Sequence, residues 1–96
     1  MVWADNYGET WVRLPGRPAV CVGRVAGEEE ARRRAVAYWE VRDREEAAVD
    51  RLRSRWSRQV YIGSLPSIDV EFDGPPGRYA YVTGRGGRVV DAILLD

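Results

Sequence analysis

The sequence predicts an α+β fold. Three observations carry that expectation. A stretch without Gly or Pro runs from residue 28 to 57 with acidic residues at its start and arginines at its end. Short β-rich segments separated by Gly/Pro turns lie on both sides of it. The last twenty residues hold two such segments around Gly84-Arg85-Gly86-Gly87. The expected order is an antiparallel β-meander, one long amphipathic helix packed on the sheet, and a further antiparallel set ending in a C-terminal hairpin. At 96 residues the chain is expected to form a single domain over 1–96.

The first 25 residues read as the meander. Val2-Trp3 and Thr10 to Leu14 flank the turn Asp5-Asn6-Tyr7-Gly8. Pro15-Gly16-Arg17-Pro18 leads to a strand over 19–25. In that strand Val20 and Val22 share one face, and Ala19, Cys21 and Gly23 the other. Cys21 is expected to be a small packed residue.

The helix follows from charge and period. Glu28, Glu29 and Glu30 suit the positive end of a helix dipole, and each has an arginine four residues on: Arg32, Arg33 and Arg34. Arg53, Arg55 and Arg58 suit the negative end. At 100° per residue, Ala31, Tyr38, Val41, Ala48, Val49, Leu52 and Trp56 form one apolar stripe expected to lie on the sheet. Glu45 falls within it, so it needs Arg42 or an arginine of the sheet as partner. A helix over 28–57 is about 45 Å long. A globule of this size has a diameter of roughly 32 Å. The helix therefore overhangs its sheet unless it kinks near Asp43 or its end is covered by another chain. A continuous helix is the favoured reading, and helix-mediated homodimerisation follows from it.

Beyond the helix, residues 59–62 form a short strand. Ile68, Val70 and Phe72 alternate with Asp69, Glu71 and Asp73, which predicts an amphipathic strand over 67–73 with an acidic face. Gly74-Pro75-Pro76-Gly77 breaks the chain. Residues 78–83 and 88–95 form the hairpin, whose turn glycines supply positive φ.

Composition narrows the function. There are 15 basic residues, all arginine, 15 acidic residues, and neither His nor Lys. Catalytic triads and dyads that use His, His metal ligands and Schiff-base lysines are excluded. A lone cysteine excludes an internal disulfide and a cysteine zinc site, and fits a reducing cytoplasmic compartment. No apolar run spans a membrane. The N-terminal residues lack the basic-then-apolar pattern of a secretion signal. All-arginine basic usage with abundant Ala, Gly and Val points to a GC-rich coding source such as an actinobacterium or its phages.

The leading expectation is a small non-enzymatic protein-binding protein, of accessory or inhibitor type, acting on another protein. Four tryptophans in so short a chain support it, since Trp and Arg dominate interface hot spots. Trp39, Arg44, Arg51 and Arg55 on the helix form the candidate contact surface. Asp69, Glu71 and Asp73 form a second, acidic one. One alternative is nucleic-acid binding through Arg33, Arg44, Arg51, Arg55, Arg58, Arg85 and Arg88. The zero net charge argues against that alternative. A second is a metal-dependent hydrolase using Asp69, Glu71 and Asp73. Side chains along one straight strand span about 13 Å and do not converge on an ion. No cofactor and no metal are expected, and neither nucleic acid nor a membrane is the expected partner.

Overall fold

The computed structural model describes residues 1–96 and has the predicted α+β order. Strands β1 (Val2–Ala4), β2 (Thr10–Val12) and β3 (Val20–Gly23) precede helix α1 (Glu28–Arg55). Strands β4 (Tyr61–Leu65), β5 (Gly77–Thr83) and β6 (Val89–Leu94) follow it. The chain divides into two compact units, Met1–Arg42 and Asp43–Asp96, through which one continuous helix runs. No helix is long and apolar enough to cross a membrane.

In the first unit β1, β2 and β3 form an antiparallel meander in that order. Val2, Val12 and Val20 are cross-strand partners and share a face. They pack with Val22 against Ala31 and Ala35 of the helix. Both helix positions carry small residues with no exposed surface. Trp3, Trp11 and Cys21 are partners on the opposite face. Cys21 is thus exposed and not packed as expected, with its thiol directed at Glu9 Oε2 3.3 Å away. The β1–β2 turn is held by Asp5. Its Oδ1 accepts the amides of Tyr7 and Glu9, and its Oδ2 accepts the Trp11 indole N–H at 2.9 Å. Chiefly through that indole bond, the Asp5 carboxyl is held below its usual range.

The helix start matches its charge pattern. Arg32 pairs with Glu28 at 2.6 Å and Arg34 with Glu30 at 3.0 Å. Glu30 also accepts the amide of Ala26 at 3.4 Å, just before the helix start. The helix ends at Arg55, two residues before the predicted limit, with the Trp56 amide still bonded to Leu52 O. Its hydrogen-bonded run is unbroken at Asp43.

The expected single apolar stripe is corrected. Tyr38 and Val41 are 40% and 42% exposed, whereas Ala35, assigned to no stripe, is fully buried. Ala31 and Ala35 serve the first unit; Ala48, Leu52 and Trp56 serve the second. Five residues of the expected stripe do pack on a core, and Ala35 lies about 40° from Ala31; the exposed Tyr38 and Val41 fall in the middle of the helix, between the residues that serve the two cores. The first half of the helix packs on the first sheet and the second half on the second, so the helix does not rest on one sheet.

In the second unit the sheet order is β4-β5-β6, all antiparallel. One face of the sheet packs Ala80, Val82 and Ile93 against Ala48, Val49 and Leu52. Leu52 has no exposed surface, and burying such a side chain stabilises by about 1.5–3 kcal/mol. Tyr79, Tyr81 and Leu65 lie on the other face with Phe72, Val89 and Ala92. Tyr61 stacks on Tyr81 at 5.7 Å between ring centres, and Phe72 meets Tyr79 edge-on at 5.1 Å. Glu45 has the sheet partner its position demanded: Arg78 of β5. The hydrogen bond to Glu45 raises the Arg78 pKa further. Between β5 and β6 a short 3-10 turn over Arg85–Gly87 places Gly86 and Gly87 at φ 76° and 77°, as the glycines predicted.

The predicted strand over 67–73 is not formed. Residues 66–76 make turns and irregular backbone. Val70, assigned to the apolar face, is 87% exposed. The reason is local. Asp69 Oδ1 accepts the Glu71 amide at 3.0 Å, and Asp69 O accepts the Phe72 amide. A side chain that bonds its own neighbouring backbone competes with a strand ladder. The strand expected at 59–62 lies slightly later, at Tyr61–Leu65.

Candidate functional site

The helix surface expected to bind a partner is largely engaged within the chain. Arg44 donates to Leu95 O at 3.2 Å, and Arg55 pairs with Asp91 at 3.1 Å. Trp39 is half-buried; its ring lies under the Arg17 guanidinium at 4.8 Å and edge-on to Tyr38. Its indole N–H is buried without an acceptor. Arg51 is exposed. The nucleic-acid set is similarly divided. Arg58 donates to Thr83 O at 3.1 Å and lies over Trp56, and Arg88 pairs with Glu71 at 3.0 Å. Arg33 and Arg85 are exposed.

The acidic residues 69, 71 and 73 do not form one strip. Asp69 Oδ2 accepts the Val89 amide at 2.8 Å and so fastens the 66–76 segment to β6. Glu71 is occupied by Arg88. Asp73 is exposed and makes no bond of its own. No group of three acidic or sulfur ligands gathers around a point that could hold a metal.

Asp73 does line a cleft of about 480 Å³, together with Phe72, Pro75, Tyr79, Val89 and Ala92. The cleft is assembled from the 72–75 turn and the far face of β5 and β6. Two contacts fix its walls. Tyr79 donates its hydroxyl to Pro75 O at 2.7 Å, and its ring meets Phe72. A Cβ on Gly74 would stand 2.7 Å from Phe72 Cε1, so only glycine lets the ring lie where it does. The Asp91 carboxylate is unavailable, because it accepts Trp56 Nε1 at 2.9 Å and the Arg55 guanidinium. Asp73 is thus the one acceptor carboxylate of the cleft without an internal partner. A larger open cleft, about 630 Å³, lies around the β2–β3 turn and is lined by one continuous loop with Met1 and Arg13. It lacks aromatic walls.

Sequence reasoning named Asp73 but not Phe72 and Tyr79, whose roles depend on a segment folding back over the sheet. The Gly74-Pro75-Pro76-Gly77 break was the available signal, since so rigid a turn must carry the preceding residues somewhere specific. No family model, curated protein or solved structure matches this chain.

Proposed function

We propose that this chain acts by binding another protein, without a catalytic step of its own, and that it receives a cationic side chain of that protein in the Phe72–Tyr79 cleft. The observation that carries the proposal is the Asp73 carboxylate, without a partner in the chain, lining one cleft with the Phe72 and Tyr79 rings. An arginine or lysine stem packs on such walls while its head meets the carboxylate. A cation near an aromatic face adds about 0.5–2 kcal/mol. Composition supports the non-enzymatic part, since His and Lys are absent. The exposed free thiol of Cys21 suits a reducing compartment, and we place the protein in the cytoplasm. The arginines support nucleic-acid binding less well, because Arg44 and Arg55 of the helix and Arg58 and Arg88 beyond it already have intramolecular acceptors.

The test is an NMR titration of the full chain with Nα-acetyl-arginine amide and with its uncharged norleucine counterpart. Shifts confined to Phe72, Tyr79 and residues 89–92, seen with arginine only and lost in Asp73→Asn, support the reading. Equal response to both compounds, or an unaffected Asp73→Asn, removes it.

A further inference from the structure

We infer that β6 is a docking edge: the partner presents an extended segment that adds to the sheet as a fourth strand beside Ala92 and Leu94, with its cationic side chain in the cleft. The inference rests on the cleft proposal above and specifies the backbone that delivers the side chain.

The sheet order leaves β6 at an edge. The Leu95 amide donates to Arg78 O at 2.8 Å. Antiparallel pairing alternates, so Ile93 and Asp91 turn their backbone groups toward β5, and Ala92 and Leu94 turn theirs outward. The start of the edge is closed, because Asp69 takes the Val89 amide. A register shift sits in the same place, between Val82 and Thr83 on the β5 side. Beyond it the Ala92 carbonyl and the backbone groups of Leu94 face outward, and the Ala92 amide is drawn to the neighbouring Asp91 carboxylate. Natural edges are shielded by charge, proline or a covering element. This one exposes Val90 at 44% and Leu94 at 46%. Its single charge, Asp91, is bound to Trp56 and Arg55.

The side chains of Ala92 and Leu94 lie on the face of their partners Tyr81 and Tyr79, the face that holds the cleft. A residue set opposite Ala92 on an added strand points to that same face, about 4.8 Å away across the new pair. Main-chain bonds then supply affinity and the cleft supplies selection, the usual division in strand addition. Charge identifies the occupant. Residues 89–94 contain no basic residue, so a second copy of β6 would bring Asp91 and no cation to Asp73. A segment of a different protein, with Arg or Lys between β-forming residues, fits.

The experiment uses the full ¹⁵N-labelled chain and the hexapeptide acetyl-Thr-Val-Arg-Val-Thr-Val-amide. Amide exchange at Ala92 and Leu94 is expected to slow, with binding roughly tenfold or more tighter than acetyl-arginine amide. Backbone N-methylation of the peptide should erase the gain. Leu94→Pro should do the same, since proline is tolerated where the N–H faces away from the sheet and Leu94 does not line the cleft. Both should leave binding of the arginine amide unchanged. If the hexapeptide binds no better than the arginine amide and Ala92 and Leu94 stay unprotected, strand addition is overturned while the cleft stands. Protection that survives Asp73→Asn retains the edge and discards the cleft. No binding of either probe at millimolar concentration overturns both. Protection of the two amides that rises with protein concentration alone assigns the edge to a second copy and overturns the proposal.

Discussion

The Trp56 indole N–H donates to Asp91 Oδ2 at 2.9 Å, joining the end of the helix to the edge strand of the second sheet. The Arg55 guanidinium reaches the same oxygen at 3.1 Å. The indole bond is the main cause of the depressed Asp91 pKa; burial opposes it and the Arg55 contacts reinforce it. A carboxylate depressed in the folded state contributes stability above its unfolded pKa of about 3.9, and loses it as pH falls through the lower folded value. Asp91→Asn is therefore expected to destabilise the chain by about 1.5–3 kcal/mol at neutral pH, the usual cost of losing bonds to a charged group. Urea unfolding followed by Trp fluorescence measures it. The difference between wild type and variant should shrink below about pH 4. A difference that is the same at neutral and strongly acid pH would contradict the assignment.

The helix uses different residues for its two cores, and truncation separates them from the exposed ones. Leu52→Ala leaves a hole between Ala48, Ala80 and Val82 and is expected to cost about 2–5 kcal/mol. Val41→Ala, on the stripe the sequence predicted, should change stability by no more than about 0.5 kcal/mol. Chemical denaturation of both variants decides between the observed burial and a single stripe.

Element order was legible in the sequence because its signals are local. The Glu28–Glu30 and Arg32–Arg34 pattern marks a helix start whatever it packs on. The glycines at 86 and 87 require positive φ wherever the hairpin lies. The Glu45 partner was legible as a need, since a carboxylate between apolar turns demands a cation. That the cation is Arg78 was not, because it comes from 33 residues away. The 67–73 segment failed for the opposite reason. Its period-2 alternation is genuine, but Asp69 bonds backbone amides at 71 and 89 and fixes a turn instead. With the turn went the acidic strip. Glu71 joined Arg88, and Asp73 alone came to the cleft.

Asp69 is consequently a latch. Asp69→Ala should leave the Val89 amide without its acceptor and release the 66–76 segment from β6. The expected cost is about 1.5–3 kcal/mol, the usual worth of a hydrogen bond to a charged group. Amide exchange at Val89 and Glu71 should accelerate, while Leu52 and Ala80 keep their protection relative to the global stability. Unchanged exchange at Val89 would show that the segment is held by other contacts.

Gly74 offers the most direct control over the cleft. Its hypothetical Cβ lies 2.7 Å from Phe72 Cε1 and 2.8 Å from Cζ, closer than any Cβ sits in practice. Phe72 is a side-chain end on an irregular segment, so it can give way where a backbone neighbour could not. Gly74→Ala should therefore fold, with a loss of about 1–3 kcal/mol from overpacking, and turn the ring away from Tyr79. The edge-on contact at 5.1 Å would break. Loss of the Phe72–Tyr79 ring cross-peaks in NMR reports the displacement. Affinity for acetyl-arginine amide should fall although Asp73 is intact. Retained affinity with a displaced ring would mean that the carboxylate acts alone and that the aromatic wall is incidental.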